Sequence, residues 1–133
     1  MIVVDTNIIV YLYINGEGSH QAEALLSQDS AWVAPILWLS EFRNVLSLYL
    51  RKEWMSLNQA LSVLKLAEAL LGNGQYQVSS VEVMQLASAS SCSAYDCEFV
   101  ALAQQLDINL VTNDRKLLKA FPDTAISLDA YVS

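Results

Sequence analysis

Short apolar runs alternate with segments of helical length along the whole chain, and this alternation restricts the fold more than any other feature. Ile2–Val4 is a β-branched run that reads as a buried strand, and apolar residues continue after Asp5 to Tyr13 over helical length. Residues 15–18 read as a loop and Ser19–Gln28 as a helix. A second strand is expected over 31–34, ended by Pro35. A long amphipathic helix follows over 36–52, then another over 56–71, with Ser56 as N-cap and Gly72 as a stop signal. A third strand fits 75–78, helices fit 80–89 and 93–106, and a strand fits 109–112. A short helix over 114–121 precedes Pro122, and a last strand is expected over 125–128. Strands alternating with helices predict an α/β fold: a mostly parallel central sheet with helices on both faces.

The 133 residues suit one compact domain, so residues 1–133 are expected to form a single unit. With 54% hydrophobic residues the chain can bury a sizeable core. Lys65 and Glu68 interrupt the apolar stretch 57–71, so no segment has the length of a membrane span. The N-terminus lacks a cationic head and meets an acid at position 5, which argues against a signal peptide. Cys92 and Cys97 would point about 140° apart on a helix, so they read as reduced thiols of a cytoplasmic protein. His20 reads as a solvated residue near a helix start. With one histidine and two thiols at these spacings, a zinc site is not expected.

In parallel sheets, ligands bind beyond the carboxyl ends of the strands. Asp5 directly follows the first strand, and Asp114 lies two residues past the strand over 109–112. Each of them fits a helix N-cap equally well. Asp96 falls in a first helical turn, where the helix dipole favours an acid. Glu41 is harder to dismiss. At 100° per residue, Leu37, Trp38, Val45 and Leu48 lie within roughly 60° of it, and Arg43 and Ser47 lie opposite. Its helix is therefore expected to turn Glu41 into the middle of the apolar face. Burying a lone carboxylate costs several kcal/mol and calls for a cation, a metal or a proton. Asp96 repeats the pattern more mildly, with Cys92, Phe99, Val100 and Ala103 inward and Ala101 facing away. The sequence offers no inward-facing Arg or Lys as partner. Several inward acids without an organic cation point to an inorganic one, and all-oxygen ligation selects magnesium or manganese.

Four blocks carry a family resemblance. They are Asp5-Thr6-Asn7 after an apolar strand, Glu41 within the block 39–46, Asp96 within 95–103, and Asp114 within 110–117. In order and spacing they resemble the four motifs of the PIN-domain family, and the short single-domain length resembles VapC-type toxins of toxin–antitoxin pairs. That resemblance implies a three-layer PIN-like fold in which Asp5, Glu41, Asp96 and Asp114 converge on one or two magnesium or manganese ions. It also implies hydrolysis of RNA to products with a 5′-phosphate and a 3′-hydroxyl, a cognate antitoxin partner and a homodimer. Thr6, Asn7 and Thr112 are candidates to orient ligands or metal-bound waters; turn and capping chemistry accounts for them as well. Arg43, Arg115 and Lys116 are candidates for RNA phosphate contacts, or equally members of solvated helix faces. One departure is Asp107, where the family often has glycine; Asp tolerates a left-handed turn better than most residues.

The net charge of −7 opposes broad electrostatic binding of nucleic acid. Six of the seven basic residues fall in the stretches 43–52 and 115–119, and bound divalent metal would neutralise four acids. Other readings stay open. A receiver-like signalling domain would need an acidic pair after the first strand and a lysine after the fifth, and neither is present. A phosphatase of the haloacid-dehalogenase type would need Asp at position 7, which is Asn. A PIN-fold nuclease without an antitoxin fits the same pattern, whereas the presence of all four acids argues against a PIN-fold binding module that has lost catalysis.

Overall fold

The computed structural model describes residues 1–133. The chain runs β1 (Ile2–Val4), α1 (Thr6–Tyr13), α2 (Ser19–Gln28), β2 (Trp32–Pro35), α3 (Leu37–Arg51), α4 (Leu57–Leu71) and β3 (Gln75–Tyr76). It continues with α5 (Ser80–Ser88), α6 (Ala94–Leu106), β4 (Leu110–Val111), α7 (Arg115–Ala120), β5 (Ala125–Ile126) and α8 (Leu128–Val132). The five strands form one sheet in the order β3-β2-β1-β4-β5. Every pairing is parallel, with Val3 opposite Val33 on one side and opposite Leu110 on the other. The chain begins at the centre, winds outward through β2 to β3, and returns to β4 on the far side of β1. The topological switch point thus lies between β1 and β4, where such sheets open a crevice at their carboxyl edge.

Most boundaries follow from caps. Ser56 and Gln59 form a capping box at the start of α4, and Ser79, Ser93 and Ser127 cap α5, α6 and α8 through their side-chain oxygens. Pro35 stands inside β2 rather than after it. The amides of Ala34 and Ile36 on either side donate to the carbonyls of Gly74 and Tyr76, so the β2–β3 ladder needs no amide from Pro35. Gly74 lies hard against that strand: a Cβ there would meet the Trp32 carbonyl oxygen at 2.7 Å. Asp107 closes α6 in the left-handed conformation, φ 55° and ψ 49°.

The strand expected over 125–128 is shorter. Ser127 accepts a hydrogen bond from the Ala130 amide and turns the chain into α8, which packs on α2. The third strand is likewise cut to two residues, because Ser79 begins α5 soon after it. Ala101, expected to face away, is buried. Helix α6 lies on β1, β2 and β4 and is itself covered by α5, so Phe99 to Ala103 are enclosed on all sides. Cys92 precedes α6 instead of lying on it, and both thiols are free and buried. His20 is exposed in the first turn of α2, as expected. No helix is long and apolar enough to cross a membrane.

Candidate active site

Asp5 leaves β1 at the switch point and is the most enclosed acid of the chain, 8% exposed. Its two oxygens are held separately. Oδ1 accepts the Thr6 amide at 2.8 Å, and Oδ2 accepts the Thr112 hydroxyl at 2.7 Å. Thr112, fully buried just past β4, in turn accepts the Asp114 amide at 3.0 Å. The Thr6 hydroxyl reaches across to α3 and donates to Glu41 Oε1 at 2.7 Å. One continuous chain of hydrogen bonds therefore joins Asp114, Thr112, Asp5, Thr6 and Glu41, and so ties β1, β4 and α3 together. A carboxylate only accepts, so both threonine hydroxyls are fixed as donors toward it.

The N-cap reading of two acids is also correct. Asp5 caps α1, and Asp114 Oδ1 caps α7 by accepting the Lys116 amide at 2.8 Å. Capping leaves Oδ2 of Asp114 without a protein partner. Asp96 stands in the first turn of α6, whose N-cap Ser93 takes its amide.

The charges describe one electrostatic cluster. Burial pushes the Asp5 carboxyl from 3.8 up to about 6, against the lowering effect of the Thr112 and Thr6 hydrogen bonds, and the charges of Glu41 and Asp96 add to the rise. Burial raises Glu41 as well, and Asp96 and Glu98 push it further. Asp96 is raised by burial and by Asp114, and eased by Lys116. The only ion pair in the chain joins the N-terminal ammonium to Asp29, so none of these acids is directly ion-paired, and Lys116 eases Asp96 only from a distance.

As they stand, no three of the acids are close enough to grip one ion. Donor chemistry nevertheless fits a hard divalent cation. The donors are all oxygen, burial and neighbouring acids raise Asp5, Glu41 and Asp96, and free acceptor positions remain.

One expectation needs correction. Glu41 is half-buried, on the flank of α3 rather than at the middle of its apolar face. The buried line is Trp38, Phe42 and Leu46, while Leu48 is 44% exposed. The largest side chains of α3 take the interior, and Glu41 borders the crevice. The heaviest desolvation falls on Asp5 instead. Among the lesser candidates, Thr6 and Thr112 hold the acids, whereas Asn7 is exposed and outside their hydrogen-bond chain. Arg115 and Lys116 are exposed at the start of α7, beside Asp114. Arg43 lies exposed on α3, with its Nη2 3.5 Å from the Ser40 hydroxyl. Glu98 was missed: it sits half-buried two residues beyond Asp96, and its charge reaches Glu41.

Comparison with known proteins bears on the family and the fold. The PIN domain matches residues 2–122. The chain is 30% identical over 125 residues to Ribonuclease VapC3 of Pyrobaculum aerophilum, spanning 91% of this chain and 95% of the relative. The crystal structure of PAE2754 from Pyrobaculum aerophilum superposes with a TM-score of 0.78 at 20% identity, over 98% of this chain and 85% of that one. A toxin–antitoxin complex from Klebsiella pneumoniae gives 0.72 at 17% identity, over 96% and 98%. The PIN-domain match over residues 2–122, together with the 30% identity along nearly the whole chain, makes this protein a member of the PIN-domain family.

Proposed function

We propose that the protein is a divalent-metal-dependent endoribonuclease and the toxin of a toxin–antitoxin pair, working as a homodimer that an antitoxin protein restrains. The observation that carries the reading is the cluster of Asp5, Glu41, Asp96 and Asp114, charged, mutually repelling and without a directly ion-paired organic cation. Its resemblance to Ribonuclease VapC3 supports the choice of RNA, and the toxin–antitoxin complex among its structural neighbours supports the partner.

Asp5, Glu41, Asp96 and Asp114 would hold magnesium or manganese, which supplies Lewis acidity at phosphate and lowers the pKa of water. The threonines keep the acids in place. Thr112 fixes Asp5 Oδ2 and Thr6 fixes Glu41 Oε1, so these carboxylates meet a ligand with one oxygen already oriented. Lys116 and Arg115 lie on the Asp114 side, where cationic side chains can position the phosphate backbone of single-stranded RNA.

The test is cleavage of single-stranded RNA with magnesium or manganese, with EDTA, and with Asp96→Asn. EDTA is expected to abolish cleavage, and Asp96→Asn to slow it by about a hundredfold or more, in keeping with loss of several kcal/mol of transition-state stabilisation. Equal rates in all three would refute the reading. Expression of the wild type is expected to arrest growth, and expression of Asp96→Asn to leave growth normal.

A further inference from the structure

A cavity of about 490 Å³ is lined chiefly by Ile36, Leu37, Tyr76, Val83, Met84 and Glu98; none of the four acids lines it, and Glu98 links it to them through its charge on Glu41. Its size falls within the roughly 300–1,000 Å³ of small-ligand pockets. Ile36 and Leu37 follow β2 and Tyr76 ends β3, so the cavity continues the same carboxyl edge on which Asp5 and Asp114 stand. Leu37 precedes Glu41 by one turn of α3, and Glu98 follows Asp96 by two residues of α6. A strand of RNA with its phosphate at the acids would therefore bring a neighbouring base to this opening.

The walls are mostly apolar or aromatic, with Gln77 and Ser80 as uncharged polar members and Glu98 as the single charged group. Splayed single-stranded bases are recognised in this way, by an apolar or aromatic wall together with hydrogen bonds at the base edge. A carboxylate accepts hydrogen bonds and donates none. Guanine alone among the four bases presents two adjacent donors, N1–H and the N2 amino group, on its Watson–Crick edge. Adenine and cytosine set a ring-nitrogen acceptor beside their amino group, and uracil flanks its one N–H with two carbonyls. Each of these would bring an acceptor against Glu98.

We propose that this cavity is a guanine subsite, with Glu98 as the specificity-determining residue that accepts the N1–H and N2–H donors of a guanine next to the scissile phosphate. The proposal rests on the ribonuclease reading for the identity of the polymer, while the pocket's affinity for the base does not depend on catalysis.

Two measurements separate the two. The first titrates the metal-free protein, in EDTA, with guanosine and with inosine, following the methyl resonances of Met84 and Val83. Inosine lacks only the N2 amino group. Guanosine is expected to shift these resonances at concentrations at least about tenfold below inosine, and Glu98→Gln to erase the difference. The second maps cleavage of metal-loaded protein on RNA oligonucleotides of mixed sequence. Cuts are expected at a fixed offset from guanine. Replacing that guanine by inosine is expected to lower kcat/KM about tenfold or more in the wild type, with the ratio near one in Glu98→Gln. No shift with guanosine, an equal response to inosine, or an undiminished guanine preference in Glu98→Gln overturns the subsite. Guanosine binding without cleavage of any RNA would leave the subsite standing and refute the nuclease.

Discussion

Asp5 concentrates the conflict between folding and chemistry in one side chain. It is the most enclosed acid, it caps α1, and its charge is opposed by Glu41 and Asp96. With its carboxyl raised from 3.8 in the unfolded chain to about 6 in the fold, the native state binds more protons between those values. Below about pH 4 both states are protonated and the contribution is fully present; it is lost as pH rises through about 6. The corresponding loss is about 3 kcal/mol, and the rises at Glu41 and Asp96 act in the same direction. Metal-free protein is therefore expected to melt at a progressively lower temperature from pH 4 to pH 7. Millimolar magnesium or manganese, binding only the native charged form, should remove most of that fall. Thermal melts across this range, in EDTA and in metal, give the answer; identical pH profiles in both would place the ion elsewhere. The sequence made all four acids visible, yet assigned the greatest burial to Glu41. A helical wheel weighs Leu37, Val45 and Leu48 as core. It cannot show that Trp38, Phe42 and Leu46 occupy the buried line instead. Glu98 escaped for a related reason: it is about 200° from Asp96 around α6, so a one-face reading of that helix separates two residues that both border the crevice.

At the scale of elements, the alternation of strands and helices was legible as far as β5, α8 was not foreseen, and the departures came where a serine cap competes with a short strand. Ser127 ended β5 after Ile126 and began α8, and Ser79 likewise fixed the start of α5. A local pattern reads Ala125 to Leu128 as an apolar strand. The fold uses Leu128, 1% exposed, as the buried anchor of a helix instead. Asp107 shows the opposite outcome, since its left-handed turn was expected from the glycine that the resembling family often has there. A non-glycine residue at φ 55° carries backbone strain that glycine would lack. Asp107 is exposed and belongs to none of the hydrogen bonds around the acids. Asp107→Gly is therefore expected to stabilise the protein by about 0.5–1 kcal/mol while leaving RNA cleavage unchanged. Urea denaturation at neutral pH measures it. A loss of stability would mean that the Asp107 side chain holds the α6–β4 turn more firmly than its strain costs.

For the whole molecule, charge and apolar surface are distributed unevenly, and both bear on partners. Of the two basic stretches, only the second borders the acids. Arg51 and Lys52 lie at the far end of α3, where the Lys52 ammonium sits 4.6 Å from the Trp54 ring centroid. The aromatic residues of the first half are less available to a partner than their number suggests, because Trp32 and Trp38 are core. What stays outside is Trp54, 65% exposed, followed by Leu57 at 61% and Leu61 at 53%, the last two one turn apart on α4. Large apolar side chains gathered at one helix start mark an association surface more often than scattered ones do. We expect the proposed homodimer to use this face. Light scattering should then show a dimer at micromolar concentration. Leu57→Lys combined with Leu61→Lys should shift it to monomer and leave the fold's stability within about 0.5 kcal/mol, since both side chains are exposed in the isolated chain. A wild type that stays monomeric at every micromolar concentration rejects the dimer and leaves the nuclease standing. A dimer that survives both substitutions moves the contact to another exposed apolar group, of which Val81 and Met84 of α5 are one. A contact at Met84 would crowd the cavity that Met84 and Glu98 both line.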